Sequence, residues 1–324
     1  MNQLPELPEK DLPPGRHQLL KEHLMTEIRQ EEQAPVRKPV RKRNPWLRPA
    51  LTAAAVATVA AVTFTLLPSS GDSGSGPRVT TAAAVLEDAA LVAGHQNGYG
   101  KIRDDQFTYV ETKVTSTRIG KDGKPVVKPL HRREVWVSVD GRSEGVIRDA
   151  TFSGDVSYPR YEPENYTRQG YAGYAYLESL PTDPDAMHDW LAAHSVLGIE
   201  LIDGARPIVF NRDQMLFLTV GDMMTDGIVP PAQAAALYRV AARIPGVTVR
   251  EDAVDVLGRH GVAVVYEDAK LPLRVEWIFD KKTHQMLGQR TTFTRDYGKF
   301  KKGTVFSDSA TVRRAVVDKV GQRP

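Results

Sequence analysis

The chain has 324 residues, 41% of them apolar and 26% charged, which is enough for one large domain or two small ones. It contains no cysteine, so a disulfide scaffold and any cysteine-based metal or redox site are excluded. The net charge of +3 arises in residues 1–48, with ten Lys/Arg against seven Asp/Glu. The remaining residues carry 33 of each, a balance that gives no basic footprint for nucleic acid.

Residues 1–10 are rich in Pro and Glu and read as disordered. Over 12–32, Leu20, Leu24 and Ile28 recur at i, i+4, i+8, with Leu19 and Met25 beside them, which predicts an amphipathic helix. Such a helix is marginal alone in water. Its narrow stripe, with both charge signs mixed on the polar face, favours docking to a protein partner over lipid.

Residues 36–48 hold six Lys/Arg and no acid, and Trp46 lies among them. There follow 23 positions without a charge, from Pro49 to Gly71. The segment 49–67 (PALTAAAVATVAAVTFTLL) would span roughly 28 Å as a helix, close to the hydrocarbon thickness of a bilayer. Cationic flank, apolar run and a polar spacer at 68–78 together predict a single transmembrane helix acting as a signal anchor. Residues 1–48 would be cytoplasmic and residues 79–324 extracytoplasmic. The competing readings are a buried Ala-rich helix and a cleaved signal peptide, whose charged region is normally shorter than 48 residues.

Beyond the spacer, Thr80–Gly94 predicts a helix with Val85, Leu86, Ala89 and Val92 inward. Phe107–Ser116 is β-branched and aromatic, and Arg133–Val139 alternates before the hairpin signal Asp140-Gly141. Gly145–Thr151 reads as the returning strand. Six of eleven tyrosines then cluster at Tyr158, Tyr161, Tyr166, Tyr171, Tyr174 and Tyr176 among Pro and Gly, a loop that could present a ligand surface. Thr182 or Asp183 caps a helix with Pro184 near N1. An apolar stretch at 207–224 and a helix opened by Pro230-Pro231 come next. Strands return at 247–250, 253–257, 261–267, 273–279, 287–294 and 311–319. The pattern of strands, then helices, then strands predicts an α+β domain with a mostly antiparallel sheet.

Motifs for chemistry are missing. No HExxH, GxSxG, Ser-x-x-Lys or Walker loop occurs, and Gly98-Tyr99-Gly100 lacks the rest of any phosphate motif. His188 and His194 are six apart and do not share a helical face; the acids around His188 suit a helix's first turn. The expectation is no catalytic residue, no metal and no cofactor: a protein that is not an enzyme.

Four phrases, REVWVSVDGR at 133–142, YAYLESLPTDPDAMHDWL at 174–191, VGDMM…VPPAQAAALYRVAARIPGV within 220–247 and EWIFDKKTHQMLGQRT at 276–291, resemble an actinobacterial family of single-pass membrane-anchored proteins of unassigned function. The resemblance implies a short cytoplasmic segment, one transmembrane helix and an extracytoplasmic α+β domain, often in partnership with an extracytoplasmic-function sigma factor. It also implies an outer domain similar to the half-barrel of lipoprotein carriers, a curved antiparallel sheet wrapped on helices. It carries over no functional residues. A zinc-binding anti-sigma domain does not fit residues 1–48, which have no cysteine and only His17 and His23. The leading expectation is a single-pass membrane regulator, anti-sigma-like, whose inner helix docks a cytoplasmic partner while its outer domain binds an envelope signal. The alternative is a membrane-anchored module for a lipid or other apolar ligand.

Overall fold

The computed structural model describes residues 80–96, 98–151, 154–158, 172–194, 199–200 and 207–324. The chain divides into two compact units, Met1–Ser73 and Gly74–Pro324, and every described residue belongs to the second.

The expectation of a half-barrel domain hung on a membrane-spanning rod is corrected. What is described is organised instead around one antiparallel sheet of 10 strands, with five helices among the described residues. Among the described residues no helix is long and apolar enough to cross a membrane. The longest, Arg212–Asp226, has 15 residues and includes Arg212, Asp213, Asp222 and Asp226; at ~1.5 Å per residue it falls short of a bilayer. The segment 49–67, expected as transmembrane helix and signal anchor, and the docking stripe of Leu20, Leu24 and Ile28 lie outside the described residues.

The sheet is assembled from both ends of the domain. Helix α1 (Ala82–Gly94) leads into β1 (Phe107–Ile119), β2 (Pro125–Val127), β3 (His131–Ser138), β4 (Gly145–Asp149) and β5 (Val156–Tyr158). Helices α2 (Tyr174–Glu178) and α3 (Pro184–His194) follow, then the small ribbon of β6 (Ile199–Glu200) and β7 (Ile208–Val209). Helices α4 (Arg212–Asp226) and α5 (Pro231–Ala241) precede β8 (Val247–Val254), β9 (His260–Glu267), β10 (Leu273–Phe279), β11 (Met286–Phe293) and β12 (Val305–Val317). The order is β5-β4-β3-β1-β12-β11-β10-β9-β8, with β2 paired to β1. The two halves therefore meet at β1 and β12, which pair from Phe107↔Val317 to Ser116↔Ser307.

Local chemistry explains the element ends. Thr81 caps α1 by accepting from the Ala84 amide at 3.1 Å, and Asn211 caps α4 by accepting from the Gln214 amide at 2.7 Å. Asp183, not Thr182, caps α3, accepting from the amides of Asp185 and Ala186 at 3.0 Å each.

One face of β9–β11 carries the main core. Val262, Val264, Tyr266, Val275, Trp277, Phe279 and Met286 pack there against residues of α1, α3, α4 and α5. Trp277 stacks on Phe217 of α4, centroids 3.8 Å apart and 8° from parallel. The face that a carrier-type half-barrel would leave open is thus filled over these strands by the domain's own helices. On the opposite face of β1 and β3, Phe107, Tyr109, Trp136 and Val317 form a second cluster. The last residues strap it down: Trp136 Nε1 donates to the Gln322 carbonyl at 2.6 Å, and Arg323 donates two bonds of 2.6 Å to buried Glu134.

Helix α4 approaches the sheet at Gly221. A Cβ there would lie 2.5 Å from Trp277 Nε1 and 2.4 Å from Gln289 Oε1. Gln289 can move, but Trp277 is pinned by Phe217. Gly221→Ala is expected to lower stability by about 1–3 kcal/mol despite its gain in helix propensity, read as a lower urea midpoint.

Candidate functional site

Two cavities open between the helices and the β12 side of the sheet. The first, of about 440 Å³, is bounded by α1, the loop carrying Tyr99, the link from α4 to α5, the turn at His284–Met286 and Thr311–Arg314 of β12. The second, of about 370 Å³, lies between the end of α4 and strands β1, β3, β11 and β12.

The second cleft is charged but largely self-satisfied. Arg133 bonds Asp226 at 2.8 Å, and His131 Nε2 meets Asp149 at 3.0 Å. His131 Nδ1 lies 2.9 Å from the Pro129 carbonyl. Its two ring nitrogens thus face the Asp149 carboxylate and the Pro129 carbonyl rather than a serine hydroxyl. Ser116, Ser307 and Ser309 line the same cleft, yet this histidine is not placed to activate any of them.

The first cavity has a different character. Strand β12 carries a bulge beside it: Thr112 pairs with Thr311, whereas Glu111 pairs with Arg313 and Val110 with Arg314. The extra residue, Val312, changes which of two adjacent arginines shares the face of Thr311. Arg314 takes that position, and Arg313 reaches the Pro324 carbonyl at 2.8 Å. One Arg314 nitrogen, Nη2, donates to the Met224 carbonyl at 2.5 Å, in the last turn of α4, and lies 3.4 Å from Thr311 Oγ1. Among the described residues Arg314 has no carboxylate partner, and its Nε and Nη1 have no acceptor.

Two phenols stand near this guanidinium. Burial pushes the Tyr99 hydroxyl up from its ordinary range, and the Arg314 charge opposes that rise. Burial likewise pushes Tyr238 up, with Arg314 again opposing. Neither hydroxyl has a hydrogen-bond partner among the described residues. One part of the wall is apolar, with Ala89, Val92, Ala93, Ile228 and Met286, and Gln96, Gln285 and Thr311 add polar groups elsewhere. His284, at the rim, adopts φ 54°, the one positive φ of a non-glycine among the described residues.

The tyrosines expected to form a ligand surface are dispersed in status. Tyr161, Tyr166 and Tyr171 lie outside the described residues, and Tyr158 is the last residue of β5. Tyr174 and Tyr176 are half-buried on α2, Tyr176 against Trp190 at 6.4 Å. Tyr174 is pushed up by burial, with the charges of Glu178 and Tyr99 adding to the effect. Sequence reading passed over Arg314, Tyr99 and Tyr238. The one local signal in the sequence is the Gly98-Tyr99-Gly100 turn, with Gly100 at positive φ.

A third polar group lies on the sheet face opposite the helices. Glu276, Asp255 and Asp308 are buried there, with Glu276 3.0 Å from Arg250, Asp255 2.6 Å from Arg259 and Asp308 2.7 Å from Arg290. No group of three metal-ligating side chains occurs among the described residues, and neither cavity reaches these carboxylates. Burial raises the Asp308 carboxyl to about 6; Arg290 opposes this, while Asp255 and Glu276 add to it.

No protein-family model matches the chain, and no curated protein matches it. Among solved structures, the dehydratase domain from the CurK module of curacin polyketide synthase aligns at 12% identity over 74% of this chain and 82% of its own, with a TM-score of 0.14. An inactive mutant of that dehydratase gives the same values. A TM-score of 0.14 carries no argument about fold or activity.

The Asp308 environment has a measurable consequence. Between about pH 4 and pH 6 the folded protein holds a proton that the unfolded chain has released, so stability falls as pH rises through that window and levels off above it. Carboxyl carbon NMR is expected to show an Asp308 midpoint near 6, and Asp308→Asn should remove this part of the pH slope of stability.

Proposed function

We propose that the folded domain is a non-catalytic binding module that receives a small ligand in the cavity beside the β12 bulge, as the sensing part of a regulatory protein. The observation that carries this reading is the half-buried Arg314, set in a cavity of mixed lining without a carboxylate partner among the described residues. A half-buried guanidinium with unused donors gains most from a ligand that supplies acceptors. The volume of about 440 Å³ is within the range of small-molecule sites, and at ~30 Å³ per water-sized group it holds roughly fifteen non-hydrogen atoms.

Binding without chemistry is favoured by what surrounds the cavity. Its lining offers no carboxylate to act as general base, and the histidine at its rim, His284, has Asp88 3.7 Å away. Asp308, whose carboxyl burial raises, lines neither cavity. The filling of the β9–β11 face by α1, α3, α4 and α5 argues for a compact ligand over a carrier's large lipid.

The methionine methyls report on this directly. In the full chain, 1-octanol is expected to shift the Met224 and Met286 resonances, which line the cavity, and to leave Met187 of α3 unmoved. Val92→Trp, which fills the rim, should abolish the shifts. If Met224 and Met286 do not respond to any small amphiphile, the binding reading is wrong.

A further inference from the structure

We infer that this cavity selects an amphipathic monoanion: a carboxylate head bound by Arg314 with Tyr99 and Tyr238, and a short apolar tail lying against α1 and the α4–α5 link. The inference rests on the binding reading above and specifies its ligand class.

The donor inventory sets the head group. Arg314 uses Nη2 on Met224 and Thr311, leaving the Nε hydrogen and two Nη1 hydrogens unassigned among the described residues. The hydroxyls of Tyr99 and Tyr238 add two more donors. A carboxylate offers two oxygens with about four lone-pair sites, enough to accept a charge-assisted bond from an unassigned Arg314 hydrogen and bonds from both phenols. A neutral alcohol would satisfy only part of this set. An ammonium head would face a like charge and bring no acceptor. A phosphate dianion would find Arg314 alone on this face of β12, since Arg313, which also borders the cavity, lies on the other face and reaches the Pro324 carbonyl; that would leave a charge uncompensated in a half-buried site.

The anchor is itself fixed. The bond from Nη2 to the Met224 carbonyl ties the guanidinium to the C-terminal turn of α4, where carbonyls carry partial negative charge. That contact holds the charged plane in place without neutralising it with a carboxylate. The β12 bulge sets the residue on this face, so the head site is built into the sheet. Opposite it, Ala89, Val92, Ala93, Ile228 and Met286 supply the apolar surface for a tail. The small alanines of α1 are what leave room there.

The test compares three eight-carbon probes on the full chain by calorimetry or methionine-methyl NMR: octanoate, 1-octanol and octylammonium. Wild type is expected to bind octanoate at least about tenfold more tightly than 1-octanol and to bind octylammonium most weakly. Arg314→Gln should cost octanoate about tenfold to a hundredfold and leave 1-octanol unchanged, the range expected for charge-assisted hydrogen bonds. Because Arg314 also ties α4 to β12, Tyr99→Phe serves as a second variant that keeps the guanidinium. It should weaken octanoate severalfold and spare 1-octanol. Equal binding of octanoate and 1-octanol to wild type would overturn the head-group assignment while the binding reading stands. Equal loss of both probes in Tyr99→Phe would overturn it too. Failure of all three probes to bind wild type would overturn the binding reading and this inference together.

Discussion

The pairing of β1 with β12 is the constraint on which the rest of the domain depends. Each strand has 13 residues, and their hydrogen-bonded ladder joins segments about two hundred positions apart in the chain. Without it, β1–β5 and β8–β12 would be two separate sheets, with β1 and β12 as new open edges of unpaired amides and carbonyls. The cost is kinetic: a contact of such sequence separation must close a very long loop before it is rewarded, so this junction is a slow one to form.

The seam also decides where the cavities lie. Helices α1, α3, α4 and α5 are anchored over β9–β11 by Trp277, Phe279 and their neighbours, and α4 runs from that core toward the β1–β12 junction. Gly221 lets α4 come down onto Trp277. The last turn of α4 then ends at Arg314 on one side and at Arg133 on the other. The two cavities flank that turn. One has its central charges, His131 and Arg133, paired with Asp149 and Asp226, and the other holds Arg314, whose described acceptors are the Met224 carbonyl and a hydroxyl.

The opposite face of the sheet tells a complementary story. Glu134 is buried, and burial raises its carboxyl, yet the bonds from Arg323 and Tyr109 outweigh this and hold it below the usual range. Asp308 has the reverse balance: burial and the neighbouring carboxylates outweigh Arg290. Two buried acids with arginine partners thus titrate in opposite directions. The deciding terms are how many donors reach the carboxylate and how many like charges stand nearby.

Alternation of apolar and polar residues marked β3, and the Asp140-Gly141 turn marked β4 as its returning strand; the burial of β9 and β10 on both faces was not legible, because it comes from layers packed on each side of the sheet. Cap chemistry placed α3 through Asp183 and Pro184 for the same local reason. Strand partners were not legible. The two pieces read at 247–250 and 253–257 form one bulged strand, β8, and β12 begins six residues before the segment expected. The candidate site was illegible for a physical reason: Arg314 differs from Arg313 only through a bulge set by register with β1, and Tyr99, Tyr238 and Met224 are brought beside it by helix packing. Local residue preferences act over a few positions and fix the elements, whereas a binding cavity exists only where distant elements fail to fill the space between them.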